Sequence, residues 1–168
     1  MNDDAKNIVE SLNLSAHPEG GYFSEVYRSE EMLNIDDLPG RYNSSRTFST
    51  SIYYMLVENQ ISHFHRLKSD ETWHFYFGSP VIIHCLSPDG IYNKVKIGCQ
   101  FTHNIFPQFT IKKGIWFAAE IEDKTSFALI GCTVAPGFEY DDFELGKRNS
   151  LINQFPLYKG IISFFTKE

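Results

Sequence analysis

The feature that most constrains the fold is a run of short strand-like segments from Thr47 to Val134. These segments are rich in β-branched and aromatic residues, which favour extended structure. Pairs and clusters of turn-forming residues separate them, for example Gly78-Ser79-Pro80 and Ser87-Pro88-Asp89-Gly90. The strands are predicted near 47–57, 61–65, 72–77, 80–86, 92–97, 102–106, 115–119 and 126–134. Strands at intervals of about ten residues, without long helices between them, predict an antiparallel sandwich or barrel.

Both ends of the chain predict short helices. Residues 2–13 place Ile8, Val9 and Leu12 on one face of an amphipathic helix. Residues 146–154 and 157–166 are predicted as two short helices that pack apolar side chains onto the body. The expected fold is therefore dominated by β-structure, with one N-terminal helix and two C-terminal helices.

Length and composition exclude several functional classes. The 168 residues fit one domain, expected over 1–168 with a β-barrel core at about 20–145. The formal net charge of −6 gives no basic surface for nucleic acid or for an anionic membrane. Three scattered cysteines do not form a disulfide framework, and no apolar run is long enough to span a membrane. The N-terminal MNDDAKNIVE lacks the features of a signal peptide, so a cytoplasmic protein is expected.

The segment "SHFHRLKSDETWHFYFG", residues 62–78, concentrates residues that carry chemistry. Because side chains on a strand alternate between its faces, His63 and His65 are expected on the same face. If that face lines a barrel, His63, His65 and Glu71 can form the two-histidine, one-carboxylate triad that suits non-haem iron. On the next strand, Glu71 and Trp73 are expected on one face and His74 on the other.

This segment resembles the first motif of the cupin superfamily, in which H-x-H precedes a Glu and then a Gly. Glu71 is followed by six residues and Gly78, as in that motif. Five residues separate His65 from Glu71, however, which is one more than the motif allows.

The second cupin motif, P-x-G-x-x-H, corresponds here to "KKGIWF". Gly114 matches, but Lys112 replaces the proline and Phe117 stands where the last metal ligand is expected. A phenyl ring cannot coordinate a metal, so at most three ligands remain. No cofactor is favoured, and a divalent metal is the less favoured alternative.

A closer resemblance is to an uncharacterised small-cupin family, carried by "HPEGGYF", "FHRLKSDETWHFYFG", "LSPDG", "GIWFAA" and "GCTVAPGFEYDDFEL". These stretches run in order from His17 to Leu145. The resemblance implies a double-stranded β-helix (jelly roll), commonly a homodimer, with a ligand-sized pocket in the barrel mouth. In this family His65, Glu71 and Trp73 belong to the motif, whereas the position of His63 is not a fixed histidine.

The candidate site residues fall into three groups. The catalytic candidates are His65, Glu71 and Tyr53, and a metal, if present, would use His63, His65 and Glu71. The ligand-binding candidates are Glu19, Tyr22, Arg46, His74 and Trp116. Arg46 is expected to pair with Glu25 or Glu71.

Three functions are consistent with these residues. The first is a metal-independent isomerase or epimerase acting on a small polar, sugar-like molecule. In it His65 is the general base, Glu71 or Asp70 orients the imidazole, and a tyrosine is the acid. The second is a non-catalytic module that binds a small ligand. The third is a metal-dependent oxygenase or isomerase.

Overall fold

Two sheets that face each other dominate the computed structural model, which describes residues 3–100 and 104–167. The helices are α1 (Asp3–Ser11), α2 (Arg148–Gln154) and α3 (Lys159–Phe164). The first strands are β1 (Ser15–Ala16), β2 (Tyr22–Arg28), β3 (Met32–Leu33), β4 (Arg46–Thr47), β5 (Thr50–Val57), β6 (Ile61–Leu67) and β7 (Asp70–Gly78). The others are β8 (Val81–Leu86), β9 (Tyr92–Ile97), β10 (Ile105–Phe106), β11 (Gln108–Ile111), β12 (Trp116–Ile121), β13 (Phe127–Ala135) and β14 (Phe143–Leu145).

The order of the strands confirms the predicted jelly roll. The first sheet has the order β1-β2-β5-β13-β7-β11, and the second has the order β10-β9-β8-β12-β6-β14. Neighbouring strands are antiparallel, except that β10 runs parallel to β9. Consecutive strands often lie in different sheets, as β5 and β6 do, so the chain winds around the core between the sheets.

Three apolar clusters hold this arrangement together. The central cluster lies between the sheets and includes Tyr54 and Trp73 from the first sheet and Phe117 from the second. A second cluster joins the outer face of the second sheet to α2 and α3, and a third joins the first sheet to α1. Burial of both faces of a sheet removes apolar surface from water on each side. No helix in the described ranges is long and apolar enough to cross a membrane.

The structure differs from the sequence prediction mainly at short strands. Strands β11 and β14 were not predicted, because each has only a few residues and takes its place by pairing with a distant strand, β7 or β6. Of the strand predicted at 102–106, residues 102 and 103 lie outside the described residues, and Ile105–Phe106 is a strand.

Strand β6 carries a β-bulge that matters for the site. Opposite it on β12, Phe117 pairs with His65 and Ala119 pairs with Ser62, so one residue of β12 faces two of β6. A bulge interrupts the alternation of side chains. It brings Ser62 and His65 to the inner side, while Phe64 packs in the outer cluster with the C-terminal helices.

Candidate functional site

An open cavity lies at one end of the space between the sheets. Its empty volume is about 700 Å³ with the open mouth included. Strands β2, β5, β6, β7 and β13 line it together with the segment before β14. The polar and titratable residues of its wall are His17, Glu19, Glu25, Arg28, Thr50, Tyr54, His65, Glu71, Cys132, Glu139 and Tyr140.

The loop before β2 places Glu19 on this wall. The Glu19 carbonyl accepts two hydrogen bonds from His63, from the backbone N–H at 2.8 Å and from Nδ1–H at 2.6 Å. The Tyr54 hydroxyl donates to the carbonyl of Gly20 at 2.7 Å. Gly20 has φ 113°, and a Cβ there would lie 2.1 Å from the Ile61 carbonyl oxygen. Only glycine allows this close approach, so the loop is fixed against β6.

The imidazole of His65 has a defined tautomer. Its Nδ1 lies 2.7 Å from the carbonyl oxygen of His63, which can only accept, so Nδ1 carries a proton. Its Nε2 lies 3.1 Å from Oε2 of Glu19. Phe117 packs against the ring with a centroid distance of 4.0 Å, and His65 is only 2% exposed.

Glu19 and His65 therefore share one proton. A bare carboxylate next to an unprotonated Nε2 would leave two acceptors in contact, so a proton must lie between them. Burial lowers the pKa of His65 to about 4, and burial also raises the pKa of Glu19. Both shifts disfavour the ion pair, so the proton resides on Glu19 and is donated to Nε2. The second oxygen of the same carboxyl accepts from the Ser62 hydroxyl at 3.1 Å.

Glu71 is the second buried carboxyl of the cavity. It is 8% exposed, and its Oε2 has no hydrogen-bond partner among the described residues. Burial raises the pKa of Glu71 to about 8, and Glu19 adds to this effect when it is ionised. At pH 7 this carboxyl is mostly neutral and can donate a hydrogen bond to a ligand.

His17 completes the polar part of the wall. Its Nδ1 lies 3.3 Å from the backbone nitrogen of Glu19 and 3.4 Å from Oε2 of the same residue. No described residue is hydrogen-bonded to its Nε2. Burial lowers the pKa of His17. The neutral ring is therefore held by Glu19 through one nitrogen, and its other nitrogen is free to bond a ligand.

At the mouth, Arg28 joins β2 to the segment before β14. Its guanidinium donates to Oε1 and Oε2 of Glu25 at 3.1 and 2.8 Å, and to Oε1 of Glu139 at 2.7 Å. It also donates to the Phe138 carbonyl at 3.3 Å. The aromatic rings of Phe23, Phe138, Tyr140 and Phe143 form much of the surrounding wall.

The structure brings together three of the residues predicted from sequence, Glu19, His65 and Glu71. His65 lies within hydrogen-bond reach of a carboxylate in an open cavity, as the acid–base hypothesis requires. The partner is Glu19, not Glu71 or Asp70 as expected. Asp70 is bound at the surface by Lys112 Nζ at 2.9 Å and by the backbone N–H of Lys113.

None of the five other candidates lines the cavity, which corrects their expected placement. Tyr53 and Tyr22 pack in the cluster under α1 on the opposite face of the first sheet. Trp116 lies in the cluster under the C-terminal helices, with Arg66 4.5 Å from its ring centroid. His74 points away from Trp73 and bonds the Thr133 hydroxyl at 3.2 Å.

Arg46 is the fifth, and its expected partner was also wrong. It is fully buried and binds Asp142 through two hydrogen bonds of 2.6 and 2.7 Å. Asp142 is far away in sequence, and the pairing depends on the fold that brings the segment before β14 against β4. The sequence prediction considered only Glu25 and Glu71 and therefore did not identify this partner.

The hypothesised metal triad is not assembled. His63 does not line the cavity, since the bulge turns it to the Glu19 carbonyl, whereas His65 and Glu71 do. In residues 3–100 and 104–167, no group of three or more His, Cys, Asp or Glu side chains is placed to hold a metal ion. The donor set present here does not fit a mononuclear metal centre.

Sequence reasoning missed Tyr54 and His17. On β5 both faces are apolar, because α1 covers the outer one, and the choice between Tyr53 and Tyr54 is then undetermined by pattern. A signal for His17 was present in "HPEGGYF", where it directly precedes the loop that carries Glu19.

Comparison with known proteins identifies the family to which the chain is similar. Residues 6–146 match the family described as Cupin superfamily (DUF985). An uncharacterized protein of Saccharomyces cerevisiae is 28% identical over 149 residues, which cover 82% of this chain and 72% of that protein.

Solved structures support the same family assignment. Protein SO0799 from Shewanella oneidensis is 33% identical, with a TM-score of 0.87 over 99% of this chain and 98% of that one. A hypothetical protein from Leishmania major is 30% identical, with a TM-score of 0.88 over 98% and 99% of the two chains. Oxalate decarboxylase from Bacillus subtilis is 16% identical, with a TM-score of 0.55 over 91% of this chain and 37% of that one. At this low identity the likeness concerns the fold alone. The chain therefore belongs to the DUF985 family of the cupin superfamily.

Proposed function

We propose that the cavity is a metal-independent acid–base site for a small polar, sugar-like molecule, and that the protein acts as an isomerase or epimerase. The observation that carries this proposal is the unpartnered Oε2 of Glu71 on the wall of the cavity that also holds the Glu19–His65 pair. A buried polar atom without a partner is costly, and such atoms concentrate where a ligand completes the bonding.

Glu71 and Glu19 have different roles in the proposed proton transfers. Glu71 is neutral at pH 7 and donates its proton to a carbonyl oxygen of the ligand. A proton on the neighbouring carbon moves to Glu19, while the proton already on Glu19 moves to Nε2 of His65. Glu19 then gives its proton to the former carbonyl carbon and regains one from Nε2 of His65, while the hydroxyl on the neighbouring carbon returns its proton to Glu71. These transfers complete an isomerisation and restore all three groups.

The surroundings support these roles. Nδ1–H of His65 is held by the His63 carbonyl, so Nε2 stays aimed at Glu19 throughout. The tyrosine expected as the acid is not needed, because Glu71 takes that role. Tyr54 is unsuited to it, since burial raises its pKa well above the usual value and its hydroxyl is bound to Gly20.

Deuterium exchange tests the proposal before any substrate has been identified. Chelator-treated protein is incubated in D₂O with reducing sugars, amino sugars and α-hydroxy ketones, and proton NMR follows loss of the C–H signal next to the carbonyl. We expect exchange by the natural chain and a loss of about 10²-fold or more in Glu71→Gln and His65→Gln. Asp70→Asn, next to Glu71 but at the surface, is the matched control and keeps the activity.

Two outcomes would overturn the catalytic proposal. Ligand-induced shifts of the cavity signals without any exchange would favour the non-catalytic binding module. Exchange that survives in Glu71→Gln and His65→Gln would place the chemistry elsewhere.

A further inference from the structure

We infer that the ligand of this cavity carries an ammonium group, so that the site selects small organic cations over phosphates and carboxylates. The inference rests on the proposed function in one respect, that the cavity binds a small molecule. It goes beyond that function in the state of Glu71, because a bound ammonium holds this carboxyl ionised and Glu71 then cannot act as the acid. It stands on the charges and free hydrogen-bonding groups of the wall.

The wall offers no free cation to an anionic ligand. Of the described residues that line it, Arg28 alone carries a permanent positive charge. Both edges of its guanidinium are already used, by the two oxygens of Glu25 and by Glu139. A phosphate or carboxylate that approached Arg28 would also meet the negative charges of Glu25 and Glu139. Arg28 and its two carboxylate partners therefore offer an anion no net positive charge.

The interior of the cavity has the opposite preference. Glu19 and Glu71 are its buried acidic groups, and Oε2 of Glu71 is the acceptor without a donor. The Trp73 indole and the Cys132 thiol lie beside Glu71, and the imidazoles of His17 and His65 line the same cavity. All four are neutral groups. An ammonium N–H supplies the missing hydrogen bond and takes the Glu71 proton's place beside the carboxylate.

Aromatic rings strengthen the same preference. Phe23, Phe138, Phe143 and Tyr140 line the same cavity as the buried carboxyls. Aromatic walls around a carboxylate are the usual surroundings of bound organic cations, because the ring faces are electron-rich. A net charge of −6 on the whole chain attracts cations as well.

Three probes of the same shape test the inference: benzylammonium, benzyl alcohol and benzoate, with charges of about +1, 0 and −1 at pH 7. Titrations followed by NMR of the natural chain give the three dissociation constants. We expect benzylammonium to bind about tenfold or more tightly than benzoate, with benzyl alcohol between them. Calorimetry in buffers of different ionisation enthalpy should show release of roughly one proton per benzylammonium at pH 7, because the ammonium requires ionised Glu71.

Two variants test whether Glu71 is responsible for the preference for benzylammonium. Glu71→Gln should reduce the advantage of benzylammonium over benzyl alcohol to about twofold or less and abolish the proton release, whereas Asp70→Asn should leave both unchanged. The inference would be overturned if benzoate or benzyl alcohol bound most tightly, or if benzylammonium did not bind at millimolar concentration. These titrations use the natural chain, so they decide the question even if every variant fails to fold. Cation preference without isotope exchange would contradict only the catalytic proposal, and exchange on a phosphorylated sugar would contradict only this inference.

Discussion

Two buried histidines of this chain are bound in similar ways, yet His65 lines the cavity described above and His84 packs against Phe165 at the C-terminal end. His65 on β6 meets Glu19 through Nε2 at 3.1 Å, and His84 on β8 meets Glu120 through Nε2 at 3.3 Å. His84 lies on the outer face of the second sheet, where its ring centroid is 4.7 Å from that of Phe165. Burial lowers the pKa of both imidazoles.

The difference lies in the hydrogen-bond partners of the two clusters. Nδ1 of His84 accepts from the Tyr92 hydroxyl at 2.7 Å, and the second oxygen of Glu120 binds Lys124 Nζ at 2.7 Å. Every group in that cluster is satisfied within the protein, as expected of a structural network. The cluster of His65 instead borders Glu71, one oxygen of which is unsatisfied on a cavity wall. A buried histidine–glutamate pair is thus no sign of a site by itself. What distinguishes His65 is the unsatisfied carboxyl oxygen of Glu71 on the wall of the same cavity.

The largest expected effect is on activity, and it tests whether the two histidines differ in function. His65→Gln should reduce isotope exchange on a substrate found by the screen by roughly 10²–10⁴-fold, because it removes the group that takes the proton of Glu19. His84→Gln, matched in burial and chemistry, should change the rate less than about threefold and should lower the melting temperature instead. Equal losses of activity in the two variants would refute the distinction.

The next effect concerns stability and its dependence on pH. Because the pKa of Glu71 rises from 4.5 to about 8 on folding, the folded chain binds more protons than the unfolded chain between these values. The free energy of unfolding therefore falls as pH rises from about 5 to about 9, and Glu71→Gln should remove a fall on the order of 3–5 kcal/mol. Urea unfolding of both proteins at the two pH values measures it. Glu120→Gln, whose carboxylate has partners, should instead cost about 1–2 kcal/mol at pH 7. A parallel pH dependence in the natural chain and Glu71→Gln would contradict the assignment.

A smaller effect compares the two tyrosines. Tyr54→Phe leaves the Gly20 carbonyl without its donor, and Tyr92→Phe leaves Nδ1 of His84 without one. Each change should cost about 1–2 kcal/mol of stability. Only Tyr54→Phe should also weaken binding of benzylammonium, by about threefold to tenfold, because it loosens the loop that carries Glu19. Weakened binding in Tyr92→Phe would show that the two clusters are coupled.

The smallest effect is at the edge of the structural cluster. Lys124 is about one-third exposed where it binds Glu120, and exposed ion pairs contribute little. Lys124→Met should change the free energy of unfolding by less than about 1 kcal/mol, and salt should reduce that difference further. A larger, salt-independent loss would show that His84 depends on this lysine for its position.

Much of the fold was predictable because it depends on local patterns. Turn residues and alternating apolar residues located β5 to β9, β12 and β13, and the apolar stripe of Ile8, Val9 and Leu12 located α1. Strand β14 was missed because its three residues become a strand only by pairing with β6. The homodimer, implied by the family resemblance, stays a prediction.

The site was predictable only in part. Motif residues gave His65 and Glu71. The inward direction of His65 together with Ser62 depends on the bulge in β6, which an alternating pattern does not predict. The partnership of Glu19 with His65 depends on a loop folded against β6, and that of Arg46 with Asp142 joins residues 96 positions apart. Such pairs are set by the three-dimensional path of the chain, which no local pattern contains.

The bulge in β6 has a consequence for how the position of His65 is determined. It places two residues, His63 and Phe64, between Ser62 and His65, and both flanking side chains reach the same carboxyl of Glu19. In a regular strand residues three apart point to opposite faces, so the same sequence paired without the bulge would present Phe64 to the interior in place of the imidazole. The register of β6 against β12, and not the presence of the histidine alone, therefore decides whether His65 meets Glu19.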